Sequence, residues 1–328
     1  MNTPRVSIGL PIYNGSNFMR ETIDSVLRQT FTDWELVICD NASTDATPEI
    51  CREYAARDSR IRFYANAKNM GAAYNYDRVL ELSRGEYFKW TAHDDLMAPD
   101  FLEKCAGLLD SDRSAIGAAP QAAMIDESGQ ILREPWREVS MSSERPSERY
   151  RQQLTDAEGF RQIFGLYRTP VVRNCGPNGR WGSSDKNFLA RLSLQGKILV
   201  TDTVLYSRVH PLQSVNAHTS THARSIWFDP KLAGKIHFPR FSMVWDYLSA
   251  VFAYPMPFSE RLRATGYWLR HMHWPGLAKD VAVAGLTLAH RALPGRWEPD
   301  QIIDPTAKRR TQKYAQSPVG LEAGKKSR

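Results

Sequence analysis

The chain has 328 residues, of which 42% are hydrophobic and 24% charged. That is enough for one large α/β domain with an appended subdomain, without disulfides or a structural metal to hold it together. The net charge of +7 is concentrated at one end, because residues 308–328 carry seven basic side chains against the single acid Glu322; the basic balance is a property of the tail and does not argue for a nucleic-acid-binding core.

In chain order, residues 5–10 form a β-like run that ends at Pro11, and 18–29 follow with apolar residues at helical spacing. A second run covers 35–39. Residues 47–56 predict a helix with Pro48 in its first turn. A third run at 61–65, a helix at 72–82, a fourth run at 87–91, a helix at 99–109 and a fifth run at 116–125 complete the alternation, closed by a turn at 126–129. This order predicts a largely parallel sheet with helices on both faces. Residues 133–177 are less regular, with a polar surface loop or lid expected at 140–151 and a helix at 156–164. Further on, 184–194 predict a helix and 198–209 one or two strands. Beyond Pro239 the pattern is helical, over 244–254, 260–273 and 277–293. The basic tail has the polar composition of a disordered segment.

The four cysteines, Cys39, Cys51, Cys105 and Cys175, form no C-x-x-C pair. They read as reduced thiols and favour a cytoplasmic setting. The first residues lack a basic region followed by a long apolar stretch, so no secretory signal is expected. The longest apolar stretches, such as 281–289, are too short to span a bilayer.

Ligands of open parallel sheets sit beyond the carboxyl ends of the strands. The residues found there are Pro11, Tyr13 and Asn14 after the first run, Asp40, Asn41 and Asp45 after the second, and His93, Asp94 and Asp95 after the fourth. An aromatic face, amides and carboxylates on one rim suit a nucleotide whose phosphates carry a metal ion. Adjacent carboxylates repel, and a hard divalent cation relieves that repulsion while neutralising a diphosphate. A glycine-rich dinucleotide turn is absent after the first run, where Pro11–Gly15 stands instead. Asp45 reads as a helix N-cap, whereas Asp94 and Asp95 fit either a ligand site or the entry to the next helix.

Five motifs in order then resemble the family 2 glycosyltransferases of GT-A fold. They are Leu10-Pro11-Ile12-Tyr13-Asn14, Ser25-Val26-Leu27-Arg28-Gln29-Thr30-Phe31 followed by Trp34-Glu35-Leu36-Val37, Asp40-Asn41-Ala42-Ser43-Thr44-Asp45, Asn69-Met70-Gly71 with Asn75, and His93-Asp94-Asp95-Leu96 with Pro99-Asp100. The resemblance is strong over 5–110, loosens to about 216 and then fades. It implies a Rossmann-like, mostly parallel central sheet flanked by helices, with a C-terminal helical extension. It also implies a cytoplasmic, inverting, metal-dependent enzyme that takes one sugar from a nucleotide-diphospho-sugar, UDP-linked as a first guess, to an acceptor hydroxyl. The setting would be bacterial cell-surface polysaccharide or glycolipid synthesis.

Carried over by position, Pro11 and Tyr13 would lie against the base, Asp40 and Asn41 would line its pocket, and Asn14 and Asn69 are further candidates on the nucleotide side. Asp94 is expected near the ribose or sugar and Asp95 on a Mg²⁺ or Mn²⁺ ion. Two departures stand out: Ala92 replaces an acid common in the family, and Asn41 replaces a second acid. The family's base opens a later helix, which points to Asp185, although Ser184 stands where a glutamate is usual. His210 is a second candidate metal ligand, and His93, Trp181 and Arg208 are candidates for acceptor or sugar contact. The expected division is a nucleotide-sugar half at 1–125, an acceptor half with the base at 126–238, a helical extension at 239–297 and the tail at 298–328.

The acceptor would be a saccharide, free or lipid-linked. Trp245, Trp268, Trp274, Arg261, Arg263 and Arg270 mix aromatic and basic character in the extension. They fit core packing or, together with the tail, peripheral contact with the cytoplasmic leaflet of a membrane. A sugar nucleotidyltransferase and an inactive nucleotide-sugar-binding protein of the same fold are the alternatives. The first lacks its basic glycine loop, and the acids Asp94, Asp95 and Asp185 argue against the second.

Overall fold

The computed structural model describes residues 3–136, 138–155, 159–209, 221–272 and 274–292. Four strands, β1 (Val6–Ile12), β2 (Trp34–Asp40), β3 (Ile61–Ala65) and β4 (Tyr87–Trp90), pair in parallel in the spatial order β3-β2-β1-β4. Between them run α1 (Met19–Leu27), α2 (Thr47–Arg57) and α3 (Ala72–Leu82). The sheet continues through β8 (Leu166–Arg168), which is antiparallel to both β4 and β6 (Ala115–Ile125). Next comes β9 (Lys197–Arg208), parallel to β6, and last the two-residue β5 (Leu96–Met97), antiparallel to β9. The parallel half thus carries the strand ends expected to form a site, and β8 turns the sheet into a mixed one.

Side-chain alternation along the strands builds two cores. Val6, Ile8, Leu10 and Ile12 of β1 and Leu36 and Ile38 of β2 pack on one face against Ile23 and Val26 of α1, Ile50 and Tyr54 of α2, and Phe101 and Leu109 of α4 (Phe101–Ser111). Val37 and Cys39 point the other way, to Val79 of α3 and to Phe188 and Leu192 of α7 (Ser184–Gln195). Pro11 does not end β1, because β4 pairs only as far as Gly9. Beyond that point one side of β1 is an open edge, and a missing N–H is tolerated there.

The loop expected at 140–151 is overturned. Residues Pro146–Thr155 form a helix, α5, whose Tyr150 is fully buried with Ala190 and Leu194 of α7 and with Ala250, Val251, Tyr254 and Ala264 of the extension. Its Arg149 caps α7 by donating to the carbonyl oxygens of Ser193 and Leu194. The charged composition misleads because Arg149 is consumed internally rather than solvated. Of the helix expected at 156–164, residues Gly159–Phe164 form a 3-10 helix and 156–158 lie outside the described residues. A hairpin strand β7 (Ile131–Trp136), α6 (Thr169–Asn174) and α8 (Thr221–Phe228) were not foreseen. The extension comprises α9 (Pro239–Ala253), α10 (Phe258–His271) and α11 (Trp274–Ala292). The tail expected at 298–328 lies outside the described residues.

At the amino end of the parallel strands, Glu35 of β2 is buried and accepts from Ser7 Oγ at 2.6 Å, Arg84 N at 2.8 Å and Arg62 Nη1 at 2.8 Å. Burial alone would push its carboxyl up, but the bonds from Ser7, Arg84 and Arg62 outweigh that and hold it below its ordinary value. A depressed carboxylate adds stability above its unfolded pKa and loses it as pH falls through the folded one. Glu35→Gln is therefore expected to lower unfolding free energy at pH 7 by about 2 kcal/mol. In denaturant titrations this deficit should shrink as pH drops below about 4; a deficit that does not change with pH would refute the ion-pair account.

Candidate active site

Beyond β1 and β2 the backbone is set by amides. Asn41 N donates to Ile12 O and Asn66 N to Asp40 O, both at 2.8 Å, so each strand end is tied to the next. Asn41 Nδ2 donates to Asn69 Oδ1 at 2.9 Å, and Asn41 Oδ1 accepts from Asn66 Nδ2 at 3.1 Å and Met70 N at 2.9 Å. Asn75 accepts from Asn66 and donates to the carbonyls of Ile12 and Cys39. Asn69 also accepts from Gly71 N. Gly71 is obligatory here, since its φ is 90° and a Cβ would lie 2.4 Å from Phe228 O of α8. The amide groups of Asn41, expected to line the base pocket, and of Asn69, a candidate on the nucleotide side, are directed at each other and at the loop.

Asn14 has a similar duty. Its Oδ1 accepts from Thr44 N and its own N–H donates to Ser43 Oγ, both at 2.8 Å. Asp45 is not the expected N-cap: Ala46 holds that position, and Asp45 Oδ1 accepts from Thr47 N two residues on, an Asx turn leading into α2, while Oδ2 accepts from Ser16 N. Asp40 is buried and accepts from Ser43; burial pushes its carboxyl above the ordinary value despite those bonds. Pro11 is buried inside β1, while Tyr13 is exposed on the rim, where its ring is open to stacking.

The turn after β4 is anchored from below. Thr22 Oγ1 of α1 donates to His93 O at 2.8 Å and Asp95 O at 3.0 Å. The His93 ring lies over Gly15, where a Cβ would approach its Cδ2 to 2.7 Å, and its Nδ1 is 4.0 Å from Asp94 Oδ1. Asp95 is buried and its Oδ1 accepts from Ser207 Oγ at 3.0 Å and Arg208 N at 3.2 Å. These bonds exist because β5 pairs Leu96 with Tyr206 at the end of β9.

Arg208 itself corrects an expectation. Its side chain has no exposed surface. It donates to Asp94 O, to Asp126 O and Glu127 O in the turn before β7, and to Glu21 Oε2 of α1 at 2.7 Å. The guanidinium also lies 4.4 Å from the Phe18 ring centroid. It braces the turn from behind, with its guanidinium donors given to protein acceptors.

Asp185 opens α7. That helix is docked on the sheet by Phe188, whose ring meets Trp90 of β4 edge-on at 5.2 Å. Burial pushes the Asp185 carboxyl above its ordinary value, against the lowering effect of Lys186. Tyr76 of α3 shows where these acids converge: its phenol is pushed up first by burial and then by the charges of Asp94, Asp95 and Asp185. Carboxylates from two segments far apart in sequence, 94–95 and the start of α7, therefore bear on one hydroxyl. From the extension, Tyr247 of α9 is pushed up by burial and then by Asp185 and Asp246. Neither tyrosine is among the expected site residues, since both sit inside helices that read as ordinary amphipathic segments. Trp181 donates from Nε1 to Asn187 Oδ1 at 3.2 Å and packs on Gly179.

No cluster of three or more His, Cys, Asp or Glu side chains fit to hold a metal occurs among the described residues. His210 lies outside them. Asp95 oriented by Ser207 and Arg208, with Asp94 adjacent, fits a different donor set: one or two carboxylates, completed by diphosphate oxygens and water, as Mg²⁺-type sites commonly have.

A model of glycosyl transferase family 2 matches residues 7–173. Chondroitin synthase of Escherichia coli is 36% identical over 129 residues, 39% of this chain and 19% of that one. The matches take in less than half the length of the curated relatives. Among solved structures, S. aureus TarS 1-349 in complex with UDP superposes with a TM-score of 0.52 at 16% identity, covering 94% of this chain and 91% of that one. The mannosyltransferase PcManGT from Pyrobaculum calidifontis, in complex with GDP-Man and Mn²⁺, gives 0.54 at 16% identity, covering 97% and 83%. At this identity the two structures establish the GT-A fold.

The bracing role of Arg208 makes Arg208→Met costly. Unfolding free energy should fall by about 3 kcal/mol, as when one partner of a buried charged network is removed. A loss under about 1 kcal/mol in urea titration would show that these contacts carry little.

Proposed function

The chain belongs to glycosyl transferase family 2, and we propose that it transfers one sugar, with inversion, from a nucleotide-diphospho-sugar to an acceptor hydroxyl. The observation that carries this reading is the packing of α7 on β4, where Phe188 meets Trp90 edge-on at 5.2 Å, so that the helix opened by Asp185 lies against the strand that leads into Asp94 and Asp95.

Tyr13 stacks on the base, while the amide frame of Asn41, Asn66, Asn69 and Asn75 holds the pocket floor on which Asp40 sits. Asp94 faces the ribose or sugar. Asp95, held by Ser207 and Arg208, is the residue to bind Mg²⁺ or Mn²⁺, with His210 a second candidate. Such an ion supplies charge neutralisation to the leaving diphosphate. Asp185 accepts the acceptor hydroxyl proton as that oxygen bonds to the anomeric carbon and the bond from that carbon to the diphosphate oxygen breaks on the opposite face. One displacement inverts the centre.

TarS with bound UDP supports a UDP-sugar as first donor, and the GDP-Man complex of PcManGT makes GDP-sugars the second to test. The likeness to chondroitin synthase supports a saccharide acceptor in bacterial cell-surface polysaccharide or glycolipid synthesis. The four cysteines are free and buried, which supports a reducing, cytoplasmic setting.

With a panel of nucleotide-sugars, Mn²⁺ and saccharide acceptors, Asp185→Asn is expected to lower turnover by about 10³-fold. Nucleotide affinity in calorimetry should stay unchanged; turnover above a tenth of wild type would place the base elsewhere. The base works only when ionised and burial raises its carboxyl, so wild-type rate should climb with pH, with a midpoint above the ordinary value of about 4. A midpoint at or below that value contradicts the assignment. Chelation should abolish transfer, Mn²⁺ should restore it, and Asp95→Asn should raise the Mn²⁺ concentration needed for half-maximal rate; full activity after chelation would refute a metal role.

A further inference from the structure

The outer faces of α9 and α10 carry apolar stripes. Phe241, Trp245 and Phe252 on α9, and Phe258, Leu262 and Leu269 on α10, are 51 to 79% exposed. In each helix the spacings of four and seven residues bring the three side chains within about 40° of one another around the axis. The opposite faces are the buried ones, Ala250 and Val251 on α9 and Glu260 and Ala264 on α10. The two helices are held together by Trp268 Nε1 donating to Val244 O at 3.0 Å and by the core of Ala250, Val251, Tyr254 and Ala264.

The charges on this helix pair are sorted by sign. Its two acids turn inward. Glu260 is buried and takes bonds from Ser147, Arg145 and Arg263, and Asp246 lies 3.8 Å from Arg191 of α7. The exposed charged groups are cationic, Arg263 and Arg270. Residues 308–328, further along the chain, add seven basic residues against one acid.

Exposed aromatic and aliphatic stripes on a helix pair whose exposed charges are Arg263, paired with Glu260, and Arg270 match the surface of an anionic bilayer, where apolar side chains enter the acyl boundary and cations meet the head groups. A second copy of the same face would bring like charges together. No helix among the described residues is long and apolar enough to cross a membrane. We propose that the α9–α10 face docks this protein on an anionic lipid surface as a peripheral protein. Tyr247, on the inner side of α9, feels Asp185, so one helix has the candidate base behind it and the lipid in front. This docking stands independently of the transfer chemistry.

The test uses the full chain and vesicles of phosphatidylcholine with or without phosphatidylglycerol, read by co-sedimentation. Wild type should bind the anionic vesicles, bind neutral ones at least tenfold more weakly and release as salt rises. The double variant Trp245→Ser, Phe258→Ser should keep the wild-type circular dichroism and melting temperature yet lose at least tenfold in vesicle affinity. Removal of residues 308–328 should weaken binding without abolishing it. Wild type that ignores anionic vesicles, a double variant that binds as well as wild type, or binding lost entirely with 308–328 would each overturn the proposal. So would light scattering that shows a dimer dissociated by the double variant, because the face would then be a contact between copies.

Discussion

A single buried guanidinium ties the two halves of this molecule together. Arg208 is the last residue of β9, yet it bonds to the turn after β4, to α1 and to the turn before β7. A guanidinium without solvent contact must satisfy its donors within the protein, and its five N–H groups fix the carbonyls they meet in one geometry. The chain segment that carries Asp94 and Asp95 therefore has its position set by residues more than a hundred positions away. The short pairing of β5 with β9 has the same effect, and its register places Ser207 and Arg208 N on the Asp95 carboxylate.

On the other side of the sheet, α7 depends on aromatic packing. Trp90 lies between Phe88 and Phe188, edge-on to both, and its indole N–H is satisfied by Tyr76 O. The same cluster that buries the end of β4 therefore fixes the approach of Asp185 and the placement of Tyr76. Core packing and site geometry are here one set of contacts, and a change of volume at Trp90 would be felt in both.

The first four strands and their helices were legible because each is a short apolar run or a helical period bounded by turn residues; Ala72–Leu82 and Ile61–Ala65 emerge with the expected limits. The strand-end acids were legible because topology alone assigns them to one rim. What remained hidden depends on distant partners. Nothing local marks Arg208 as buried rather than facing a sugar, since its acceptors are mostly backbone carbonyls, which every sequence has. α5 was hidden because Arg149 and Glu148 look solvated until α7 and Tyr267 are placed beside them. Tyr76 and Tyr247 were hidden because a helical aromatic residue is ordinarily core, and only the folded chain brings three acids to one of them.

The frame beneath the rim is made of amides throughout: Asn41, Asn66, Asn69 and Asn75. Amides do not titrate, so this scaffold keeps the same donors and acceptors from acid to alkaline solution. It also puts no formal charge of its own beneath an incoming diphosphate. Burial raises the carboxyls of Asp40 and Asp185, so protonation there changes the local charge while the amide scaffold keeps its donors and acceptors. The substitution of an amide for an acid at Asn41 thus separates the mechanical part of the pocket from its electrical part.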